Sequence, residues 1–174
     1  ITVNSGGVQA NGNIALQSSG DILITDGGVI NSAGTGTISV TASTGSISLS
    51  GAGLVSTAAV SLTATTGAVT TPDTFPDVTA PSLTVSAATG IELDTVITTL
   101  TSATVSGTGN MDISDAAGGL TVTSASTSNG SITLNATGGD LTLTSVIAGG
   151  SNNITLNPTT SGSILVDSVT ATRD

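Results

Sequence analysis

The side chains best suited to chemistry in this 174-residue chain are carboxylates, because it contains no histidine, cysteine, tyrosine or lysine. Glu92 and Asp94 alternate within one segment and are expected to point outward together, and Asp112 and Asp115 lie near each other further on. Two carboxylates can act as acid and base on a glycosidic bond. No Lys, His or Tyr is present to assist, and there is no aromatic platform for a sugar. The sequence therefore favours carboxylates that keep the surface solvated, and it predicts no catalytic residue.

Aspartate oxygens are also natural ligands of calcium. The Gly-Gly-x-Gly-x-Asp repeat of calcium-binding β-rolls does not occur in the sequence. Its nearest fragments are Gly138–Gly139–Asp140 and Asp26–Gly27–Gly28. We therefore predict no metal site and no cofactor.

Threonines at alternate positions offer a third surface chemistry, a regular hydroxyl array of the kind that binds ice. The pairs Thr121/Thr123 and Thr142/Thr144 are expected to lie one repeat apart. Glu92/Asp94 and Leu165/Asp167 are expected to interrupt the array on either side. Threonine also suits exposed strand positions without any ligand. Binding of ice or carbohydrate through an outer face is the alternative to a purely structural function.

The charge balance excludes several partners. One basic and 11 acidic residues give a formal charge of −10, so the chain cannot neutralise the phosphates of a nucleic acid. No apolar run approaches the roughly 20 residues needed to span a bilayer, so no membrane insertion is expected. Hydrophobic residues make up 37% and the mean hydropathy is +0.42, which argues against disorder.

One six-residue pattern recurs along the chain: a glycine or other small residue, then small polar and aliphatic residues in alternation. Copies include GNIALQ at 12–17, GTISVT at 36–41, GSISLS at 45–50, GSITLN at 130–135 and GDLTLT at 139–144. Alternation with period 2, rich in Ile, Val and Thr and bounded by glycine, is typical of short β-strands. No segment has a sustained period of 3.6, so no helix is predicted.

The spacing of the copies predicts the architecture. Paired strands recur about every 22 residues, and a shorter apolar patch follows most pairs, which indicates three strands per turn of a parallel β-solenoid. We predict one all-β unit over residues 1–174, with about seven coils of roughly triangular cross-section. The register between residues 95 and 130 stays open, because three candidate strands occur there where two are expected. The pairs begin at Ile14 and Ile22, Ile38 and Ile47, Val60 and Val69, Leu83 and Ile91, Ile132 and Leu141, and Ile154 and Ile164.

This spacing makes specific stacking predictions. Ile38, Val60 and Leu83 should form an internal aliphatic column, with Ile132 continuing it two coils later. Glycines 45, 67 and 90 should form a corner column, where a backbone without Cβ turns sharply. Asn135 and Asn157 should form an amide ladder on the outer face.

The segment 71–81 departs from the repeat. It contains three of the four prolines and Phe75, the only aromatic residue. Proline cannot donate to a strand ladder, so we expect this Pro-rich segment to protrude at a corner. Phe75 either contacts a partner or folds back over the coil. Neither end resembles a cap, so we expect a piece of a longer solenoid or one that stacks end to end with its own copies.

The hexad G-[SDT]-[IL]-[ST]-[LV]-[ST] on a period near 22, in a chain rich in Gly, Ser, Thr and Asn, resembles the filamentous-haemagglutinin-like family of secreted bacterial surface proteins. The resemblance covers residues 1–174 and implies a right-handed parallel β-helix exported to the cell surface. It further implies a non-enzymatic shaft or fibre module of an adhesin or extracellular filament. Neighbouring coils, copies of the chain, and a host, cell or matrix ligand are the expected partners.

Overall fold

More than half of the chain lies in parallel β-strands, most of them short. The computed structural model describes residues 1–25, 27–51, 53–159 and 162–172, and these form 21 strands and no helix. All strand pairs in this part of the chain are parallel and belong to one sheet. Accordingly, the described residues provide no helix able to cross a membrane. The predicted fold class, an all-β parallel solenoid, is confirmed.

The strands group into successive coils along the chain. In the first three coils the strands are β1 (Thr2–Val3), β2 (Val8–Ala10) and β3 (Ile14–Ser18); β4 (Ile22–Ile24), β5 (Ile30–Ser32) and β6 (Ile38–Ala42); and β7 (Ile47–Leu49), β8 (Leu54–Ser56) and β9 (Ala59–Ala64). The next two coils have long strands, β10 (Val69–Thr70) with β11 (Val78–Ala87), and then β12 (Ile91–Thr108) alone. The last three coils are β13 (Met111–Asp115), β14 (Leu120–Val122) and β15 (Ala125–Asn129); β16 (Ile132–Thr137), β17 (Leu141–Leu143) and β18 (Val146–Ala148); and β19 (Ile154–Thr159), β20 (Ile164–Val166) and β21 (Val169–Ala171).

Strands from successive coils stack into ladders. One ladder runs through β1, β4, β7, β10, β12, β13, β16 and β19. A second joins β3, β6, β9, β11, β12, β15, β18 and β21. The solenoid therefore has about eight turns of about 22 residues. This is one turn more than the motif spacing predicts, because β1 and β2 precede the first predicted strand pair and form the first coil together with β3.

Aliphatic columns fill the interior. Alternate residues of a strand point to opposite faces, so the alternating sequence directs one aliphatic set inward in every coil. Ile38 stacks on Val60 and Val60 on Leu83, as predicted, and all three are at most 1% exposed. The inward Ile, Leu and Val side chains give the hydrophobic stabilisation, which each coil obtains from its neighbours.

The predicted continuation of that column to Ile132 is wrong. Ile132 stacks on Met111, and Met111 on Ile91, so Ile132 belongs to the column that starts with Ile22 and Ile47. The column of Leu83 instead continues through Leu100. The physical reason is β12, which runs for 18 residues without a loop and passes both corners of its coil as one strand. The hexad of Ile132 therefore continues the ladder of Ile22 and Ile47 and not that of Ile38 and Val60.

Glycines line one corner of the solenoid. A Cβ on Gly67 would lie 2.5 Å from the carbonyl oxygen of Gly45, and a Cβ on Gly130 would lie 1.8 Å from that of Gly109. Only a residue without a side chain allows such close backbone stacking. Gly90 lies outside this column, contrary to the prediction. Val69 pairs with Ile91, so Thr89 takes the position above Gly67.

Two further features concern the later coils. The predicted amide ladder is confirmed, because Asn157 Nδ2 donates to Asn135 Oδ1 at 2.9 Å. The aliphatic side chains of β20 and β21 are 38–49% exposed, since no described coil stacks on them.

Candidate functional site

The outward carboxylates gather on the face formed by β10, β12 and β13. Glu92 on β12 pairs directly with Asp112 on β13, and both side chains are exposed. Asp94 follows on the same strand and is half-buried. A shallow surface groove beside them is lined in part by Thr70 and Asn110. The face therefore concentrates negative charge in the middle coils of the rod.

Asp115 does not join this face. It lies three residues after Asp112 in the same strand, and an odd spacing places two side chains on opposite faces. Its carboxylate is 1% exposed inside the solenoid, where Oδ1 accepts the Ile97 N–H at 2.8 Å and the Thr95 hydroxyl at 3.0 Å. Oδ2 accepts the Ala117 N–H at 3.0 Å. Asp112 and Asp115 therefore do not act together, and Asp115 instead completes the hydrogen bonding of a corner.

Asp77 is a second buried carboxylate, and it connects three coils. Its Oδ2 accepts the N–H of Asp94 at 2.8 Å, and its own N–H donates to the Asp94 carbonyl at 2.6 Å. Its carbonyl accepts the Leu54 N–H from the preceding coil at 2.7 Å. Only 3% of the residue is exposed. Asp77 thus fixes the chain at the corner where the Pro-rich segment rejoins the solenoid.

Burial and mutual repulsion make these acids weaker than usual. Burial raises the pKa of Asp77 from 3.8 to about 7, and the negative charges of Asp94 and Asp73 add to the rise. Burial likewise raises the pKa of Asp94, together with the charges of Asp112, Asp73 and Glu92. In the described ranges there is no basic side chain to offset this repulsion. Asp77 is therefore only partly ionised at neutral pH, and the exposed Glu92 and Asp112 supply the negative charge of the outer face.

The carboxylates do not converge on a single point. Within the part of the chain that the structure describes, no group of three or more Asp, Glu, His or Cys side chains is placed to hold a metal ion. Asp140, from one of the two glycine-aspartate fragments, is exposed and accepts the Ser163 N–H at 2.8 Å. Asp26, from the other fragment, lies outside the described residues.

The Pro-rich segment divides into a loop and a strand. Residues 71–77, called here the Phe75 loop, lie outside the strands, whereas 78–81 belong to β11. Phe75 is 65% exposed, so its ring does not fold back over the coil. Asp73 holds the loop, because Oδ1 accepts the Phe75 N–H at 2.8 Å and Oδ2 accepts the Gly51 N–H at 2.6 Å. The loop is an anchored projection with an aromatic tip.

The threonine pairs form a longer array than predicted. Thr121 pairs with Thr142 as expected, and Leu165 interrupts the array in the last coil. On the other side, Thr121 pairs with Thr99. The predicted interruption by Glu92/Asp94 is therefore wrong, since Glu92 belongs to the ladder of Asp112.

Each of these three coils also carries a second threonine two residues further along. These are Thr101, Thr123 and Thr144, all exposed. Six threonines thus lie in two rows on the outer surface of three coils.

Sequence reasoning missed the buried positions of Asp77 and Asp115. For Asp115 a signal existed, since its odd spacing from Asp112 conflicts with a common face. For Asp77 no such signal existed, since the preceding Pro76 does not indicate whether the next side chain is buried.

The fold and surface define a β-solenoid repeat protein. No protein-family model, no curated protein and no solved structure matches the chain.

Proposed function

We propose that the chain is a structural shaft segment, a non-enzymatic module of a secreted or cell-surface bacterial adhesin or extracellular filament. The observation that carries the proposal is the unbroken stacking of about eight coils in parallel register. Backbone hydrogen bonds between coils run along the rod axis and resist extension, and buried aliphatic columns hold successive coils together. Each added coil lengthens such a rod by about 4.8 Å, and the core does not become wider because each coil packs only against its neighbours.

The resemblance to filamentous-haemagglutinin-like repeats supports an extracellular, surface-attached location. The composition is consistent with this assignment, since few charges and many small polar residues suit a long exposed surface. Neighbouring coils of the same solenoid, or copies stacked end to end, are the proposed structural partners. A host, cell or matrix surface is the proposed external one. We propose neither a nucleic acid nor a membrane interior as a partner, because the chain carries a single arginine and 11 aspartate and glutamate residues.

Immunogold electron microscopy on intact bacteria that produce the protein tests this function. Antibodies raised against the purified chain should label the cell exterior, with gold displaced from the outer envelope by a shaft. Antibodies against a cytoplasmic protein serve as the control for cell integrity. Label that appears only after permeabilisation would refute an extracellular shaft.

Sedimentation velocity of the purified chain tests the proposed end-to-end partner. A rod that stacks through its terminal coils should give species whose size increases with concentration while the frictional ratio rises. Val166 is 48% exposed on β20, and a Val166→Lys substitution would place a charge in the contact. The variant should remain a monomer. Association that this substitution leaves unchanged would exclude stacking through β20.

The threonine array supports a second candidate, a binding module that uses its outer face for ice or carbohydrate. The specific observation is the third threonine pair, which consists of Thr99 and Thr101 in β12. The hydroxyls of Thr99, Thr121 and Thr142 would repeat about every 4.8 Å between coils. Thermal hysteresis that disappears in a Thr121→Tyr variant would support ice binding. A glycan array would test carbohydrate binding, and no signal in either assay would leave the shaft as the function.

A further inference from the structure

The Phe75 loop is unlike the rest of the rod surface. We propose that it is a docking surface for a protein partner whose apolar pocket is surrounded by lysine and arginine side chains. The inference goes beyond the shaft function and does not depend on it, since it assigns a contact to one corner of the middle coils. Three observations carry it: exposure of the ring, rigid anchoring of the loop, and the sign of the surrounding charge.

The exposed aromatic side chain is the first observation. Phe75 is 65% exposed, whereas every other large apolar side chain on the described surface is at most 49% exposed. An aromatic ring that inserts into a partner's pocket buries a large apolar area and can dominate the binding free energy. Pro72 and Pro76 on either side are also exposed. Together they form a convex apolar tip, which fits a concave partner.

The anchoring of the loop is the second observation. Asp73 receives N–H groups from Phe75 within the loop and from Gly51 one coil below. Asp77, at the other end, is joined to Asp94 one coil above by two hydrogen bonds. A loop held from both sides loses little conformational entropy on binding, so more of the contact energy appears as affinity.

The charge around the loop is the third observation and selects the partner. Glu92 and Asp112 are exposed on the adjoining face, and Asp94 is half-buried between them and the loop. Burial raises the pKa of Asp94, and repulsion from the nearby charges of Asp112, Asp73 and Glu92 adds to the rise. A partner with basic residues around its pocket would relieve this repulsion and would associate faster at low salt.

A carbohydrate ligand fits less well. Both oxygens of Asp73 accept backbone N–H groups, and Oδ2 of Asp77 accepts another, so these carboxylates have fewer lone pairs for sugar hydroxyls. Phe75 is the only aromatic residue in the chain, so it cannot form a two-ring platform. The tip also projects outward, whereas small-ligand sites are concave.

A phage-displayed library provides the test, in which the randomised 12-residue peptides line a groove on a small folded domain and can therefore form a pocket. Selection is carried out on the wild-type chain, with counter-selection on a Phe75→Ser variant whose fold is verified by circular dichroism. Peptides that survive should carry a net positive charge together with aliphatic or aromatic residues. Failure to enrich any peptide over the counter-selected variant, or enrichment of neutral or acidic peptides, would overturn the proposal.

Binding of the most enriched peptide is then measured by biolayer interferometry on matched variants. Phe75→Ser should weaken binding at least tenfold, whereas Phe75→Leu should retain most of it. A Glu92→Gln/Asp112→Asn double variant should weaken binding and reduce its salt dependence. Ile147→Ser, which removes a 41% exposed aliphatic on a remote strand, is the control and should leave affinity unchanged.

An equal loss of affinity in the Phe75→Ser and Ile147→Ser variants would show non-specific hydrophobic binding and would refute the assignment. The same variants on a glycan array address the other ligand class. Phe75-dependent glycan binding without peptide selection would replace the protein partner by a sugar. Each outcome is independent of the immunogold result, which tests only the shaft.

Discussion

Asp77 and Asp94 are joined by two hydrogen bonds that run in opposite directions between adjacent coils. Asp94 donates its N–H to the carboxylate of Asp77 at 2.8 Å, while Asp77 donates its N–H to the carbonyl of Asp94 at 2.6 Å. A side chain here takes the place of a backbone acceptor at the corner where the Phe75 loop ends. The carboxylate is buried to do so, and burial raises its pKa from 3.8 to about 7.

The first prediction is that the protein is less stable at neutral than at acidic pH. The unfolded chain releases the Asp77 proton near pH 3.8, whereas the folded chain retains it until about pH 7. The free energy of unfolding should therefore fall as the pH rises from about 4 to about 7, and it should level off above that range. Burial raises the pKa values of Asp94, Asp112 and Asp115 as well, which adds to the same trend.

Thermal melts of the wild type and an Asp77→Asn variant across this range provide the measurement. The amide can still accept the Asp94 N–H but cannot ionise, so the variant should lose much of the pH dependence. It should melt a few degrees above the wild type at pH 8. Asp167→Asn, an exposed substitution in the last coil, is the control. The same dependence of melting temperature on pH in the wild type and the Asp77→Asn variant would contradict this role of Asp77.

The second prediction separates two aspartates of one strand. Asp115→Ala removes an acceptor from Thr95, Ile97 and Ala117 in the solenoid interior. A buried donor left without a partner costs about 1–3 kcal/mol, so the loss should be about 3 kcal/mol or more. Asp112→Ala, three residues earlier and on the exposed face, should cost less than about 1 kcal/mol. Urea unfolding measures both, and similar costs for the two variants would contradict the interior assignment.

The fold could be predicted from the sequence because its signal is local. Alternation within each hexad sets which side chains point inward, and the period of about 22 sets which residues stack. The register of Ile38, Val60 and Leu83 followed from this spacing alone. Similarly, Asn135 and Asn157 were placed one coil apart.

What the sequence could not predict lies where the repeat is irregular. In β12 the chain passes two corners without a loop, so the ladder to which Ile132 belongs depends on backbone curvature. The same uncertainty hid the pairing of Thr99 with Thr121. The position of Phe75 depended on anchors from two other coils, Gly51 and Asp94, and hexad spacing does not encode such contacts.

The third prediction concerns the interior columns. Val60→Asp and Ile132→Asp each place a carboxylate without a partner among buried aliphatics, and we expect a loss of at least about 4 kcal/mol. Hydrogen exchange should show faster exchange in the adjacent coils. Ser61→Asp and Thr133→Asp, the next residues in the same strands, point outward and serve as controls. Unchanged protection in the Val60→Asp variant would show that the register assigned to this column is incorrect.

The last prediction concerns the glycine corner, where a closely stacked glycine can be compared with an unstacked one. Gly130 stacks directly above Gly109, and a Cβ there would lie 1.8 Å from the Gly109 carbonyl oxygen. Gly130→Ala must therefore push two coils apart or distort the backbone, and we expect a loss of about 2 kcal/mol or more. Gly20 occupies the same corner in the lowest position, and a Cβ there meets nothing within 4 Å. Gly20→Ala should be close to neutral in urea unfolding, and an equal loss at both glycines would mean that backbone freedom, rather than close stacking, selects glycine at this corner.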